Sequence, residues 1–214
     1  YDDVMNQQRK VIYQQRYDVL TKDDVKETIT DMIVRSVSET FDFCFGLDTP
    51  EDWKFDEFKN HYLGMITDEK FGYSADKLAE IDKEEWKASL VEKALALYAS
   101  RDAMFANAPG LPENAMREVE KVILLQNVDK KWMDHLEAMD SLREMIGLQA
   151  YAQRNPIREY RIQGADLFEQ MVDDIKEDTV RQILTVMPRP QATERVQVAK
   201  PTVEGFGDGK SIAK

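Results

Sequence analysis

Apolar residues recur along this chain at three- and four-residue steps, a spacing that predicts helix wherever glycine or proline does not intervene. Residues 1–20, YDDVMNQQRKVIYQQRYDVL, carry Val4, Ile12, Tyr13, Val19 and Leu20 among glutamine, arginine and lysine. Thr21 to Asp24 interrupts that helix, and Asp23 or Asp24 offers a carboxylate to cap the next one. The second helix runs through VKETITDMIVRSVSETFDFCF, with Val25, Ile29, Met32, Ile33, Ser36 and Val37 on one side. Gly46 and Pro50 break it, and PEDWKFDEFKNHYLGMI resumes as a short helix bearing Trp53, Phe55, Phe58 and Tyr62. After a loop centred on 71–74, residues 74–108 read as one or two further helices ended by Ala108-Pro109-Gly110. Residues 23–108 are therefore expected to form a compact helical lobe with an aromatic core of its own.

The longest periodic pattern starts near Pro112. Its stripe is Leu125, Val128, Trp132, Leu136, Met139, Leu142 and Ile146, close to a seven-residue repeat. At 1.5 Å per residue the helix is expected to reach roughly 50 Å. Gly147 stands where a C-terminal cap belongs. A second long helix is expected from Pro156, a residue suited to a first turn, with Asn155 as its cap. It carries Ile157, Tyr160, Gly164, Phe168, Met171, Ile175 and Ile183, with Leu167 and Val172 beside them. The short link makes an antiparallel hairpin the natural arrangement. Gly164 would let the partner helix come close, at a cost of about 1 kcal/mol in helix propensity. After Met187, the segment PRPQATERVQVAKPTVEGFGDGKSIAK loses all periodicity and reads as a flexible linker over 188–214. The fold class is all-α.

Composition sharpens the picture at a few points. The formal charge of −12 argues against nucleic acid as a substrate, because phosphate binding draws on clustered lysine and arginine. A lone cysteine, Cys44, permits no internal disulfide and fits a reducing compartment. No run of about 18 apolar residues spans a membrane. The chain starts at Tyr1, without methionine and inside a helical pattern, and is read as a piece of a longer protein.

Candidate chemistry is sparse. No phosphate-binding loop, dinucleotide fingerprint or nucleophile elbow occurs, so the chain alone is not expected to hydrolyse nucleotides. His135 sits among Asp134, Glu137 and Asp140, which could suggest a metal or a base, but no second ligand is in register. It reads as a solvated flank of the stripe, and His61 likewise. Glu84-Glu85 and Asp173-Asp174 read as solvated helix faces, and Cys44 as a small buried hydrophobe. Trp132 reads as a packing anchor. Met133, Met139, Met145 and Met171 suit either a core or a surface that repacks against several partners.

The link between the two long helices, GLQAYAQRNP, holds Tyr151 between small and polar neighbours. From Arg143 to Arg161, four arginines (143, 154, 158, 161) outnumber Glu144 and Glu159, a cationic end on an acidic body. This end is either an ordinary exposed turn or a surface for contact with another chain.

Three stretches carry a resemblance. VILLQNVDKKWMDHLEAMDSLREMIGLQAYAQRNPIREYRIQGADLFEQMV resembles the two-helix finger of the SecA family of bacterial preprotein translocase ATPases. YDDVMNQQRKVIYQQR resembles the end of that family's long scaffold helix, ahead of its helical wing. The stretches keep the family's order across residues 1–187.

The resemblance implies that 1–22 end the scaffold helix, 23–108 form the wing, 109–187 the finger and 188–214 the start of a C-terminal linker. It implies that this part does no catalysis and holds no cofactor or metal. ATP and Mg would belong to motor domains outside it, and the family's zinc-binding tail is likewise not in this stretch. It further implies that Tyr151, with Gln149, Ala150 and Gln153, contacts an unfolded preprotein, and that Arg143, Arg154 and Arg158 meet the SecYEG channel. Trp132, Leu136, Met139, Leu142 and Phe168 would pack the hairpin. The implied partners are SecYEG, preproteins, the motor domains and a second SecA copy. The implied place is the cytoplasm and the inner face of the cell membrane. Many relatives carry Arg-Gly before the tip tyrosine, where this chain has Gln149-Ala150, so one charge and one flexible position are absent. The rival reading, from another class, is a helical scaffold whose hairpin docks a partner coiled coil and touches no substrate.

Overall fold

The computed structural model describes residues 1–67, 82–149 and 155–189. Among these there are six α-helices and no strand: α1 (Asp2–Thr21), α2 (Lys26–Phe45), α3 (Phe55–His61), α4 (Lys83–Ala106), α5 (Ala115–Gln149) and α6 (Pro156–Thr185). The ends of these helices follow local chemistry. The Asp24 carboxylate accepts the Lys26 N–H at 2.6 Å at the start of α2. Asp82 caps α4 by accepting the Glu84 and Glu85 amides, and Asn155 caps α6 by accepting that of Arg158. The helix expected from Pro50 is split. Pro50–Asp52 make one 3-10 turn, and regular helix begins only at Phe55. Across that break the Lys54 N–H bonds to the Cys44 carbonyl, which satisfies the last turn of α2.

α5 and α6 form the hairpin, and their side-chain pairings fix its sense. Asn127 meets Thr179 and Gln182, Lys131 meets Asp174 and Asp178, His135 meets Phe168, and Met139 meets Gly164. As one number rises the other falls, so the helices run antiparallel. α1 lies along both. Arg16 pairs with Asp129, Gln8 with His135 and Gly164, and Tyr1 with Tyr160, so α1 opposes α5 and runs with α6. Gly147 does not cap α5, which continues to Gln149. A Cβ at Gly147 would meet nothing within 4 Å, so neither conformation nor space demands glycine there.

The other lobe is built on aromatic rings. Phe45 is in contact with Phe41, Trp53, Phe55, Phe58 and Trp86 at centroid distances of 4.6–5.9 Å. This cluster is not sealed off from the hairpin. Trp132, Ile175, Val180, Ile183 and Leu184 join the same continuous core. A smaller cluster of Met139, Leu142, Ile146 and Tyr160 fills the outer half of the hairpin, with Val4, Met5 and Leu167 packed against it. Several expected stripe positions are displaced. Leu124 rather than Leu125 is fully buried, and Tyr13, Leu20 and Ile157 face outward.

The hairpin is tightly packed at Gly164, where a Cβ would lie 2.8 Å from Met139 Cε. That methyl ends a flexible side chain, so Gly164→Ala is expected to leave stability within about 1 kcal/mol, crowding being offset by helix propensity. Gly164→Ile is expected to cost about 1–3 kcal/mol by overpacking. Urea denaturation followed by circular dichroism distinguishes the two.

Candidate functional site

The candidate site is the outer end of the hairpin together with the contacts that hold it. Of the expected channel-contact residues, Arg143 is exposed and pairs with Asp140 at 3.1 Å. Arg158 is exposed, and its backbone N–H is taken by Asn155. Arg154, and the expected substrate-contact residues Ala150, Tyr151 and Gln153, lie outside the described residues, as does the side chain of Gln149. On the last described turn of α5, Leu148 is 86% exposed, and Ile157 at the start of α6 is 52% exposed. Apolar surface therefore increases toward the end of the hairpin, beside the arginines.

Below that end the packing residues converge. Trp132, Met139 and Leu142 are buried, while Leu136 and Phe168 are half-buried. Met133 and Met145 face solvent, so the methionines divide between core and surface.

His135 is not solvated. It is 4% exposed, its ring centroid 5.5 Å from that of Trp132 and 5.7 Å from that of Phe168. Gln8 Nε2 donates to the Gly164 carbonyl at 2.9 Å, which leaves Gln8 Oε1 to face His135 Nε2 at 2.9 Å. A carbonyl only accepts, so the glutamine orientation is set, and His135 must carry its proton on Nε2. One amide thus links α1, α5 and α6. His61 is also engaged, its Nε2 lying 2.6 Å from Glu177, which accepts the Ser36 hydroxyl as well. Nearby, burial pushes the Tyr62 phenol upward. Cys44 is buried, and its thiol is raised to about 11 by the same cause.

At the base of α5 lies a charged junction. Arg117 donates to Asp102 at 2.7 Å, to Glu120 at 3.0 Å and to the Tyr98 hydroxyl at 3.1 Å, and Lys26 joins Asp102 at 3.0 Å. Glu120 is fully buried. Its Oε1 accepts from Tyr98 at 2.6 Å, whereas Oε2 finds no partner. Burial lifts this carboxyl above its ordinary range, despite the guanidinium and the phenol that favour its ionised form.

Buried Ser36 lies on the expected stripe of α2, whereas buried Gln8, Glu120, Asn127 and Thr179 fall on none, because polar side chains carry no signal of burial in hydrophobic spacing. A signal for His135 existed, since it falls seven residues from both Val128 and Leu142 on the inner face. Among the described residues, no group of three or more histidine, cysteine or acidic side chains is placed to hold a metal. No described helix is long and apolar enough to cross a membrane.

This architecture defines a class: an all-α scaffold in which a long helix and a lobe jointly support a projecting hairpin. The comparisons then supply the family. A family model described as SecA Wing and Scaffold domain matches residues 1–187, and the chain belongs to that family. It is 38% identical over 211 residues to the Protein translocase subunit SecA of Clostridium botulinum (strain Eklund 17B / Type B), covering 99% of this chain and 24% of that protein. The Protein translocase subunit SecA 1 of Alkaliphilus metalliredigens is 37% identical over 210 residues, covering 98% of this chain and 23% of that protein. The SecA subunit of Pelotomaculum thermopropionicum is 39% identical over 199 residues, covering 91% of this chain and 22% of that protein. The chain thus spans about a quarter of the length of the curated relatives it matches.

Burial holds the His135 imidazole below its ordinary value near 6.5. The unfolded chain takes up that proton first, so this contribution to stability is complete above pH 6.5 and is lost as the pH falls below it. NMR titration is expected to place the His135 midpoint under 6.5. His135→Gln should flatten the stability profile between pH 6.5 and 5, measured by urea denaturation.

Proposed function

We propose that this chain is the wing, scaffold and finger portion of a protein-translocating ATPase. Residues 1–22 end the scaffold helix, 23–108 form the wing, 109–187 the two-helix finger and 188–214 the linker. The motor domains, with ATP and Mg, lie elsewhere in the parent protein, and this portion performs no hydrolysis. Its partners are those motor domains, a second copy, the SecYEG channel and unfolded preproteins. It works in the cytoplasm and on the inner face of the cell membrane.

The observation that carries this reading is the way the hairpin is held. Its two helices are joined by hydrogen bonds and ion pairs where 127–131 face 174–182 and by ring and apolar contacts further out, and α1 braces both of them. A movement imposed at the base of α5 is thereby delivered to the outer end with little lost to bending. Arg117 ties that base to α4, so the lobe and the hairpin move together. At the outer end, Tyr151 supplies an aromatic ring that grips a passing chain through apolar and stacking contacts independent of its sequence. Exposed Arg143 and Arg158, with Arg154, orient that end toward the channel through their charge. The finger feeds back on ATP turnover through the same braced connection.

Replacing Tyr151 with alanine in the full-length protein is expected to reduce preprotein transport about tenfold while leaving basal ATP hydrolysis within about twofold; a tenfold loss is about 1.4 kcal/mol of transition-state stabilisation. Equal loss of both activities, or of neither, rejects the contact role. Cross-linking from position 151 should yield adducts with the translocating chain. Adducts confined to one fixed partner would instead support a docking scaffold.

A further inference from the structure

Where α1, α2, α5 and α6 meet, a cavity of about 280 Å³ opens beside the turn joining α1 to α2. Its floor is aliphatic: Val19, Val25, Leu124, Val128 and Ile175 are all buried and line it. Met32 and Val172 extend that floor toward the mouth. The rim is charged. Lys176 is already held by Glu39 and Asp173, and Asp18 accepts a hydrogen bond from Gln14. Lys22 and Arg35 line the same cavity and form no ion pair among the described residues. With Glu39 and Asp173 counted beside Asp18 the charges at the rim balance, and Lys22 and Arg35 are the two cations there not taken up by a carboxylate.

We propose that this cavity binds a medium-chain alkyl carboxylate, its chain laid along the aliphatic floor and its carboxylate held by Lys22 and Arg35. Val19, Val25, Leu124, Val128 and Ile175 offer no side-chain hydrogen-bond partner to a ligand lying on them, while Gln15 and Thr28 add polar groups elsewhere in the lining. The volume of about 280 Å³ lies just below the roughly 300–1,000 Å³ typical of ligand pockets, which suits a single short chain. The unpaired cations select an anionic head over a cationic or neutral one. An occupant would touch all four helices at once and so stabilise their mutual arrangement. The inference stands on the cavity and its charges, and not on the translocation reading.

The test titrates hexanoate, octanoate and decanoate, below micelle-forming concentrations, into the methyl-labelled 214-residue chain observed by NMR. Saturable shifts are expected at the methyls of Leu124, Val128 and Ile175. Affinity should rise about fourfold per added methylene until the floor is covered. Decyltrimethylammonium should give no saturable shift there. The double variant Lys22→Glu, Arg35→Glu should weaken decanoate by roughly tenfold. Val172→Trp, at a half-exposed position on the mouth, should abolish binding without disturbing the core. Absence of saturable shifts, an equal response to the cationic amphiphile, or binding untouched by Val172→Trp would overturn the proposal.

Discussion

The arrangement of this molecule depends on the amide of Gln8, which is shut away from water and must satisfy both its ends within the protein. Its N–H donates to the carbonyl of Gly164 and its oxygen accepts from His135, so α1, α6 and α5 have one common register. A slip of one residue in any of them would strand buried polar groups, each costing about 1–3 kcal/mol. Apolar contacts such as those around Trp132 tolerate sliding far better, because dispersion has no direction. The amide therefore specifies where the helices stop, while the surrounding side chains supply the attraction that brings them together. Glycine at 164 belongs to the same device, since a larger side chain there would hold the helices further apart.

The second constraint is electrostatic and lies at the opposite end of α5. Arg117 faces Asp102 and Glu120 within hydrogen-bond reach, with Asp24 at 3.7 Å, and Lys26 relieves part of the acidic surplus. These groups come from α4, from α5, from the start of α2 and from the turn before it, so the junction between lobe and hairpin is made of charge as well as oil. Glu120 is its weakest member, with one oxygen unpartnered in the interior. A buried pair of this kind contributes little net stability, yet removing one partner is costly because the remaining charge has nowhere to go.

Much of the architecture was legible in the chain because helix is a local property. The capping by Asn155, the hairpin and the close approach at Gly164 all follow from residue type and short-range spacing. What was not legible depends on distant neighbours. His135, beside acidic residues, reads as a surface group until α1 supplies the glutamine whose carbonyl oxygen accepts its N–H hydrogen bond. Gly147 reads as a stop signal, but nothing in the surroundings calls for a left-handed turn and the helix continues past it. Tyr13 and Leu20 have the right spacing to be buried, and only the absence of a described neighbour over them leaves them outside. For the site, the exposed arginines followed from charge counting, whereas the roles of Tyr151 and its neighbours came from family resemblance alone.

The ring contact between Tyr1 and Tyr160, edge to face with centroids 4.5 Å apart, seats α1 against the outer half of the hairpin. The deflection of a loaded cantilever grows with the cube of its free length. Support along the flank therefore stiffens a rod far more than a firmer root alone would. A thrust carried by the flanked part of the hairpin would arrive as displacement rather than as flexure.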